Sequence, residues 1–118
     1  MGWFSSAPMS INETRLINEN SSVEWRIKYS NTTLVSLFVQ RLDGYGPTVM
    51  VIPASEYNNY KRGLAYKVIS DLSFENIERF SAEANLARGM YYLVVSLPAI
   101  PDGWDSYSQF NIRYETVK

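Results

Sequence analysis

The residue types best suited to binding a ligand stand together in one stretch near the end of the chain, Asp102-Gly103-Trp104-Asp105-Ser106-Tyr107. Asp102 and Asp105 supply two carboxylates, while Trp104 and Tyr107 supply aromatic rings. Such a stretch could hold a calcium ion or stack on a sugar ring. Calcium takes about six to eight oxygen ligands, so backbone carbonyls or a second loop, such as that of Asp43, would have to complete its shell. The alternative is a polar turn in which Trp104 covers the open edge of the core.

A second group of residues has the composition of a protein-binding surface. Tyr57 and Tyr60 are one helical turn apart and Arg62 follows them, and tyrosine and arginine are favoured in interfaces. Two more aromatic side chains, Trp3 and Phe4, lie close to the N-terminus. The hypothesised interaction patch comprises Trp3, Phe4, Tyr57, Tyr60 and Arg62. The alternative is that one of the two tyrosines closes an end of the domain while the other is simply exposed.

The chain lacks the residue types on which most catalytic sites depend. It contains no histidine, the commonest general base, and no cysteine, which excludes thiolate nucleophiles, disulfides and zinc–thiolate sites. Asp71, Glu75, Glu78 and Glu83 could suggest the paired carboxylates of glycoside hydrolysis, but alternation along the chain predicts the solvated face of a strand. We therefore expect a protein that is not an enzyme and has no cofactor and no metal centre, with calcium at the 102–107 loop as the open alternative.

The composition is that of one folded domain, preceded by a short tail. Of the 118 residues, 46% are hydrophobic and 19% are charged, which allows a buried core and argues against disorder. The net charge of −1 offers no basic face for nucleic acid, and no stretch approaches the roughly 20 apolar residues of a membrane span. We expect a tail at 1–9 and a single domain at 10–118. The compartment stays open, because the chain as written shows no signal peptide and lacks cysteine.

The densest run of strand-forming residues is 88–98, which has a glycine near its start and a proline at its end. Met90, Tyr92 and Val94 would lie on one face of this strand. The other face would carry Tyr91, Leu93, Val95 and Leu97. A strand that is apolar on both faces is typical of the centre of a packed sheet.

The remaining segments predict more strands and one short helix. Further strands are predicted at 10–17, 23–29, 33–42, 48–52, 64–69, 77–84 and 106–117. The first would be anchored by Ile11, Leu16 and Ile17, and the last would align Ser108, Phe110, Ile112 and Tyr114 on one face. A helical turn is predicted at 55–62, with Ser55 as its N-cap and Gly63 just beyond its end.

Two pairings follow from the turns between these segments. Strands 23–29 and 33–42 are predicted to form a hairpin, and 77–84 is predicted to form another with the strand at 88–98. For 74–86 a helix is the alternative, because apolar residues there also fit helical spacing. Seven to eight short strands without long helices indicate an all-β protein, a single antiparallel β-sandwich that is jelly-roll-like.

Three segments, in order, carry a resemblance to a known kind of module. They are the Trp25 strand with its successor (23–39), Val49-Met50-Val51-Ile52 with the turn that follows (57–63), and 80–84 leading into Gly89-Met90-Tyr91-Tyr92-Leu93-Val94-Val95. Over roughly residues 20–117 the chain resembles the bacterial pre-peptidase C-terminal type of sandwich and, more loosely, the GOLD-type sandwich of cargo-receptor proteins.

The resemblance implies a compact accessory domain used for binding or spacing and not for catalysis. Such domains usually belong to secreted proteins and lie beside another domain. The resemblance therefore favours an extracytoplasmic location. Our expected function is a non-catalytic interaction or assembly module that binds a protein partner or forms part of a larger complex, and its expected partner is another protein or further copies of itself. The alternative is a carbohydrate- or calcium-binding accessory domain that uses the 102–107 loop.

Overall fold

A computed structural model of the chain describes residues 10–117. The described part contains seven strands, one α-helix and a single turn of 3₁₀-helix at Ser70–Leu72. In chain order the elements are β1 (Ser10–Asn18), β2 (Ser21–Tyr29), β3 (Thr33–Gly44), β4 (Thr48–Pro53), α1 (Ala54–Lys61), β5 (Arg79–Leu86), β6 (Gly89–Leu97) and β7 (Tyr107–Thr116).

The strands form two antiparallel sheets, which confirms the all-β sandwich. One sheet has the order β1-β7-β3-β5 and the other the order β2-β6-β4. Every strand is therefore followed by a strand of the opposite sheet. This alternation is the connectivity of a jelly roll with seven strands instead of the usual eight or so.

Both predicted hairpins are wrong. β2 pairs with β6 and β3 with β7 and β5, so β2 and β3 share no ladder. β5 and β6 likewise lie in different sheets. Alternation along a strand determines which face is buried and leaves its neighbour undetermined. The short turn at 30–32 crosses the roughly 10 Å between the sheets and does not reverse within one of them.

The central position predicted for 88–98 is confirmed, because β6 lies between β2 and β4. Its inward side chains are buried in the core: Tyr91, Leu93, Val95 and Leu97. On its outer face Val94 is also fully buried, and the ring of Tyr92 stacks against Tyr57 of α1. The helix thus covers the outer face of the smaller sheet, which explains why both faces of β6 are apolar.

The core fills the space between the sheets, and the last strand contributes as predicted. Ser108, Phe110, Ile112 and Tyr114 of β7 are all fully buried. In β1 the anchors Ile11 and Ile17 are buried, but the prediction for Leu16 is wrong, since its side chain is 55% exposed. Leu16 follows the opposite phase of the strand from Ile11 and Ile17, so its side chain lies on the outer face.

The strand predicted at 64–69 is wrong, but Ile69 and the residues that follow it run alongside β4. The N–H of Ile69 donates to the carbonyl of Val51 at 2.8 Å, and Phe74 and Val49 exchange two backbone hydrogen bonds of 2.9 Å. The hydroxyl of Ser73 accepts the N–H of Val51 at 3.2 Å. Segment 69–74 therefore covers the free edge of β4, where an exposed row of backbone groups would otherwise favour aggregation.

The other local predictions are largely confirmed. The 74–86 segment contains the strand β5, so the helical alternative is wrong. The helix predicted near 55–62 is α1, and Gly63 follows it with a left-handed φ of 71°. Ser55 is not the N-cap; Pro53 occupies that position and no side chain caps the helix.

Candidate functional site

One end of the sandwich carries a groove, which we call the loop groove. It encloses about 240 Å³ and is lined by Arg41, Leu42, Asp43, Gly44, Trp104 and Asp105. The register of β3 against β7 shifts between Arg41 and Asp43. This bulge leaves Leu42 as an extra residue with an exposed side chain.

The carboxylate of Asp43 is held in place by groups from two chain segments. It accepts the Tyr107 hydroxyl at 2.6 Å and the N–H of Gly44 at 2.9 Å. The hydrogen bond from Tyr107, followed by that of Gly44, lowers the pKa of Asp43, and the bond to Asp43 raises the pKa of Tyr107 to about 12. Asp43 therefore stays a carboxylate and Tyr107 stays a neutral donor at ordinary pH.

Trp104 presents much of its ring to solvent at this groove, with 51% of the residue exposed. Its edge contacts Tyr45 in a T-shaped pair at 5.2 Å between ring centroids. The guanidinium of Arg41 lies 6.0 Å from the ring centroid. An indole fixed by two neighbours and flanked by carboxylates is suited to stacking on a polar ring such as a sugar.

The structure unites only part of the ligand set proposed for the 102–107 loop. Trp104 and Asp105 line the loop groove and Tyr107 bonds its Asp43, whereas Asp102 is exposed and does not line it. Within residues 10–117 no three acidic side chains gather as a possible metal site. Asp71, Glu75, Glu78 and Glu83 are likewise exposed and form no such group.

The tyrosines of the hypothesised interaction patch are engaged within the fold. The ring of Tyr57 stacks on Tyr92 with centroids 3.7 Å apart. Its hydroxyl donates to one carboxylate oxygen of Glu24, and the ammonium of Lys61 donates to the other at 2.8 Å. Burial, reinforced by the hydrogen bond to Glu24, raises the pKa of Tyr57, and the bond to Glu24 raises that of Lys61.

Of the other members of that patch, one is half-buried, one is exposed and two lie outside the described residues. Tyr60 is half-buried between Tyr57 and Tyr66, with ring centroids 6.0 and 5.2 Å away. Arg62 is exposed at the end of α1. Trp3 and Phe4 lie outside the described residues, so the patch as a whole stays a prediction.

A second groove, which sequence reasoning missed, lies along the covered edge of β4, and we call it the β4-edge groove. It encloses about 370 Å³, and more of its lining is apolar than polar. Its apolar members are Val49, Met50, Tyr66, Val68 and Phe74. Three hydroxyl side chains, one threonine and two serines, and the carboxylate of Glu75 complete it.

Exposed apolar side chains concentrate beside this groove. Phe74 is 53% exposed and Tyr66 is 37% exposed, and both line the groove. The outer ring of Phe74 is supported from beneath by Phe80, which stacks on it at 5.5 Å. In sequence Tyr66 belonged to the predicted strand 64–69, and Phe74 belonged to the segment 74–86 that was open between strand and helix. An apolar residue in an extended segment gives no sign that the sheet ends next to it.

No protein-family model matches the chain, and no curated protein matches it. Within 10–117 no helix is both long and apolar enough to span a membrane.

Proposed function

We propose that this protein is a non-catalytic assembly module that holds a polypeptide segment of another copy in the β4-edge groove. The observation that carries the proposal is the exposure of Phe74 and Tyr66 over the apolar side chains of Met50 and Val68 in one concave surface. Contiguous apolar surface of this kind marks interaction sites on soluble domains. Fully burying one such side chain contributes about 1.5–3 kcal/mol.

Binding at this groove would rely on side chains and not on strand addition. The backbone groups of Val49 and Val51 that face the edge are already bonded to 69–74. A partner strand would have to displace that segment. A segment with large apolar side chains can instead fill the groove without breaking any hydrogen bond.

The absence of reactive chemistry supports a non-catalytic module. Histidine and cysteine are missing from the chain. Half-buried carboxylates in the described part are hydrogen-bonded, for example Glu24 to side chains and Glu19 and Glu56 to backbone N–H groups. Asp43, Asp105 and Glu75 line the two grooves, but the chain has no histidine or cysteine to act with them as base or nucleophile.

Light scattering tests the proposal through molar mass as a function of concentration. We expect the wild type to associate and Phe74→Ser and Tyr66→Ser to remain monomeric. Leu16→Ser is the matched control, because it removes an equally exposed apolar side chain from the outer face of β1. Association that persists in both groove variants, or is lost equally in the control, contradicts the proposal.

A second candidate function is carbohydrate binding at the loop groove, favoured by the exposed indole of Trp104 beside Asp43 and Asp105. Titration calorimetry against a panel of neutral and acidic oligosaccharides, with and without calcium, tests it. Heat of binding that disappears in Trp104→Ala and persists in Phe74→Ser supports this function. If no oligosaccharide gives a heat of binding, or if Trp104→Ala still binds, this function is contradicted.

A further inference from the structure

We infer that the segment held in the β4-edge groove is the tail at 1–9 of a second copy of the chain. This inference rests on the proposed function and names its partner. The tail has the sequence Met-Gly-Trp-Phe-Ser-Ser-Ala-Pro-Met and contains no charged side chain. Trp3 and Phe4 could therefore enter the apolar part of the groove without taking a charged side chain of the tail out of water.

Reaching the groove of its own molecule would take the full length of the tail. The registers place Val49 opposite Val95 and Val95 opposite Val23, near the β1–β2 turn and far from Ser10. Counting residues at about 3.3 Å each puts Val49 about 20 Å along the strands from Ser10. Because β4 and β1 lie at opposite edges of the sandwich, the groove is also about 14 Å across the sheet from β1, at about 4.8 Å per strand.

These distances disfavour the intramolecular arrangement. The straight line from Ser10 to the groove is about 25 Å and passes through the core, so any route over the surface is longer. Phe4 and Trp3 precede Ser10 by six and seven residues, which span at most about 22 Å and about 25 Å when fully extended. An intramolecular route would therefore need a fully stretched tail, whereas a second copy has no such limit because its position is free.

The shape of the groove also favours the tail as its occupant, in preference to the same concave face of a second copy. Two concave surfaces placed face to face would leave both unfilled, and packing without voids is what makes apolar contact stabilising. Trp and Phe side chains in a short segment are the anchors that fill such grooves, since aromatic residues dominate interface energetics. Tyr66 and Phe74 provide aromatic edges for them to pack against.

A tail of one copy in the groove of another can be exchanged reciprocally, which closes a two-fold dimer, or it can continue from copy to copy into rings or open chains. We therefore expect the wild type to associate as its concentration rises, to a dimer or to larger species.

A complementary pair of variants tests the inference in the full-length chain. Trp3→Ser/Phe4→Ser removes the tail anchors and keeps the groove, while Phe74→Ser impairs the groove and keeps the tail. Each is expected to be monomeric alone, and an equimolar mixture is expected to stop at a 1:1 dimer in sedimentation velocity. Tyr66→Ser serves as a second groove variant, and circular dichroism of each protein verifies its fold.

The outcomes separate the two proposals. Monomeric variants that combine into a dimer support the inference. If the groove variants lose association and Trp3→Ser/Phe4→Ser retains it, the tail is not the occupant, although assembly through the groove stands. If the wild type is monomeric at every concentration, the inference is overturned together with the proposed function. The same holds if the tail variant and the groove variants all associate as the wild type does.

Discussion

At the scale of single residues, the most constrained polar contact is a pair of tyrosines inside the core. The hydroxyls of Tyr29 and Tyr114 lie 2.9 Å apart, and both residues are buried. They come from opposite sheets, so their hydrogen bond joins the two layers. A buried hydroxyl without a partner costs free energy, so each of the two depends on the other.

We predict that the hydroxyls of Tyr29 and Tyr114 are energetically coupled in the folded state. Tyr29→Phe or Tyr114→Phe alone leaves one phenol unpaired and lowers the free energy of unfolding by about 1–3 kcal/mol. The double variant should cost less than the sum of the two. Urea denaturation of the four proteins measures this coupling, and simple additivity would show that the hydroxyls act independently.

Gly44 and Gly63 allow steric and conformational costs to be separated, because both adopt left-handed φ, 77° and 71°. A Cβ at Gly44 would lie 2.2 Å from the carbonyl oxygen of Tyr107, whereas one at Gly63 would meet nothing within 4 Å. We predict that Gly63→Ala costs about 1–2 kcal/mol, the usual penalty of this conformation. Gly44→Ala should cost clearly more in thermal or urea unfolding, and equal costs would show that the loop yields.

At the scale of elements, α1 is held by the sheet and not by its own helical stability. It has eight residues, no side-chain cap and no fully buried residue, and an isolated helix of this length does not persist in water. Its attachment is the stack of Tyr57 on Tyr92 and the two bonds that Glu24 accepts from Tyr57 and Lys61.

We predict that Tyr57→Ala loosens the helix without unfolding the sandwich. Stacking of this kind is worth about 0.5–1.5 kcal/mol beyond area burial, so helix amides such as that of Arg62 should exchange about tenfold faster or more. Hydrogen–deuterium exchange measures this against the amides of β6. Asn58→Ala, an exposed position of the same helix, is the control, and a uniform loss of protection would place α1 within the cooperative core.

At the scale of the whole molecule, the core tyrosines make the free energy of unfolding depend on pH in the alkaline range. Burial raises the pKa of both Tyr29 and Tyr114 above the ordinary value of about 10. The folded state therefore holds these protons more tightly than the unfolded chain does. Their contribution is fully present below pH of about 10 and is lost as pH rises towards the raised values.

We predict that the free energy of unfolding falls as pH increases above about 10. The double variant Tyr29→Phe/Tyr114→Phe should show a shallower fall, because it has two fewer groups to titrate. Urea midpoints collected across this range test the prediction. A slope unchanged by the double variant would assign the alkaline loss to other groups.

Much of the local structure followed from the sequence alone. The alternation in 106–117 indicated which side chains of β7 are buried, and the two apolar faces of 88–98 indicated a central strand. Both properties depend on residues close together in the chain, because side-chain direction in a strand alternates with every residue. The same local pattern located α1, since turn signals surround it on both sides.

The tertiary structure alone decided which strands are neighbours and where the two grooves form. The strands adjacent to β2 and β5 are not their nearest neighbours in the chain, and no local pattern encodes that choice. The meeting of Asp43 with Tyr107 and the groove beside β4 arise in the same way, from segments joined only by packing. Which distant residues meet depends on loop closure and strand pairing, and these depend on the packing of the whole core. The order of side chains along one segment does not specify them.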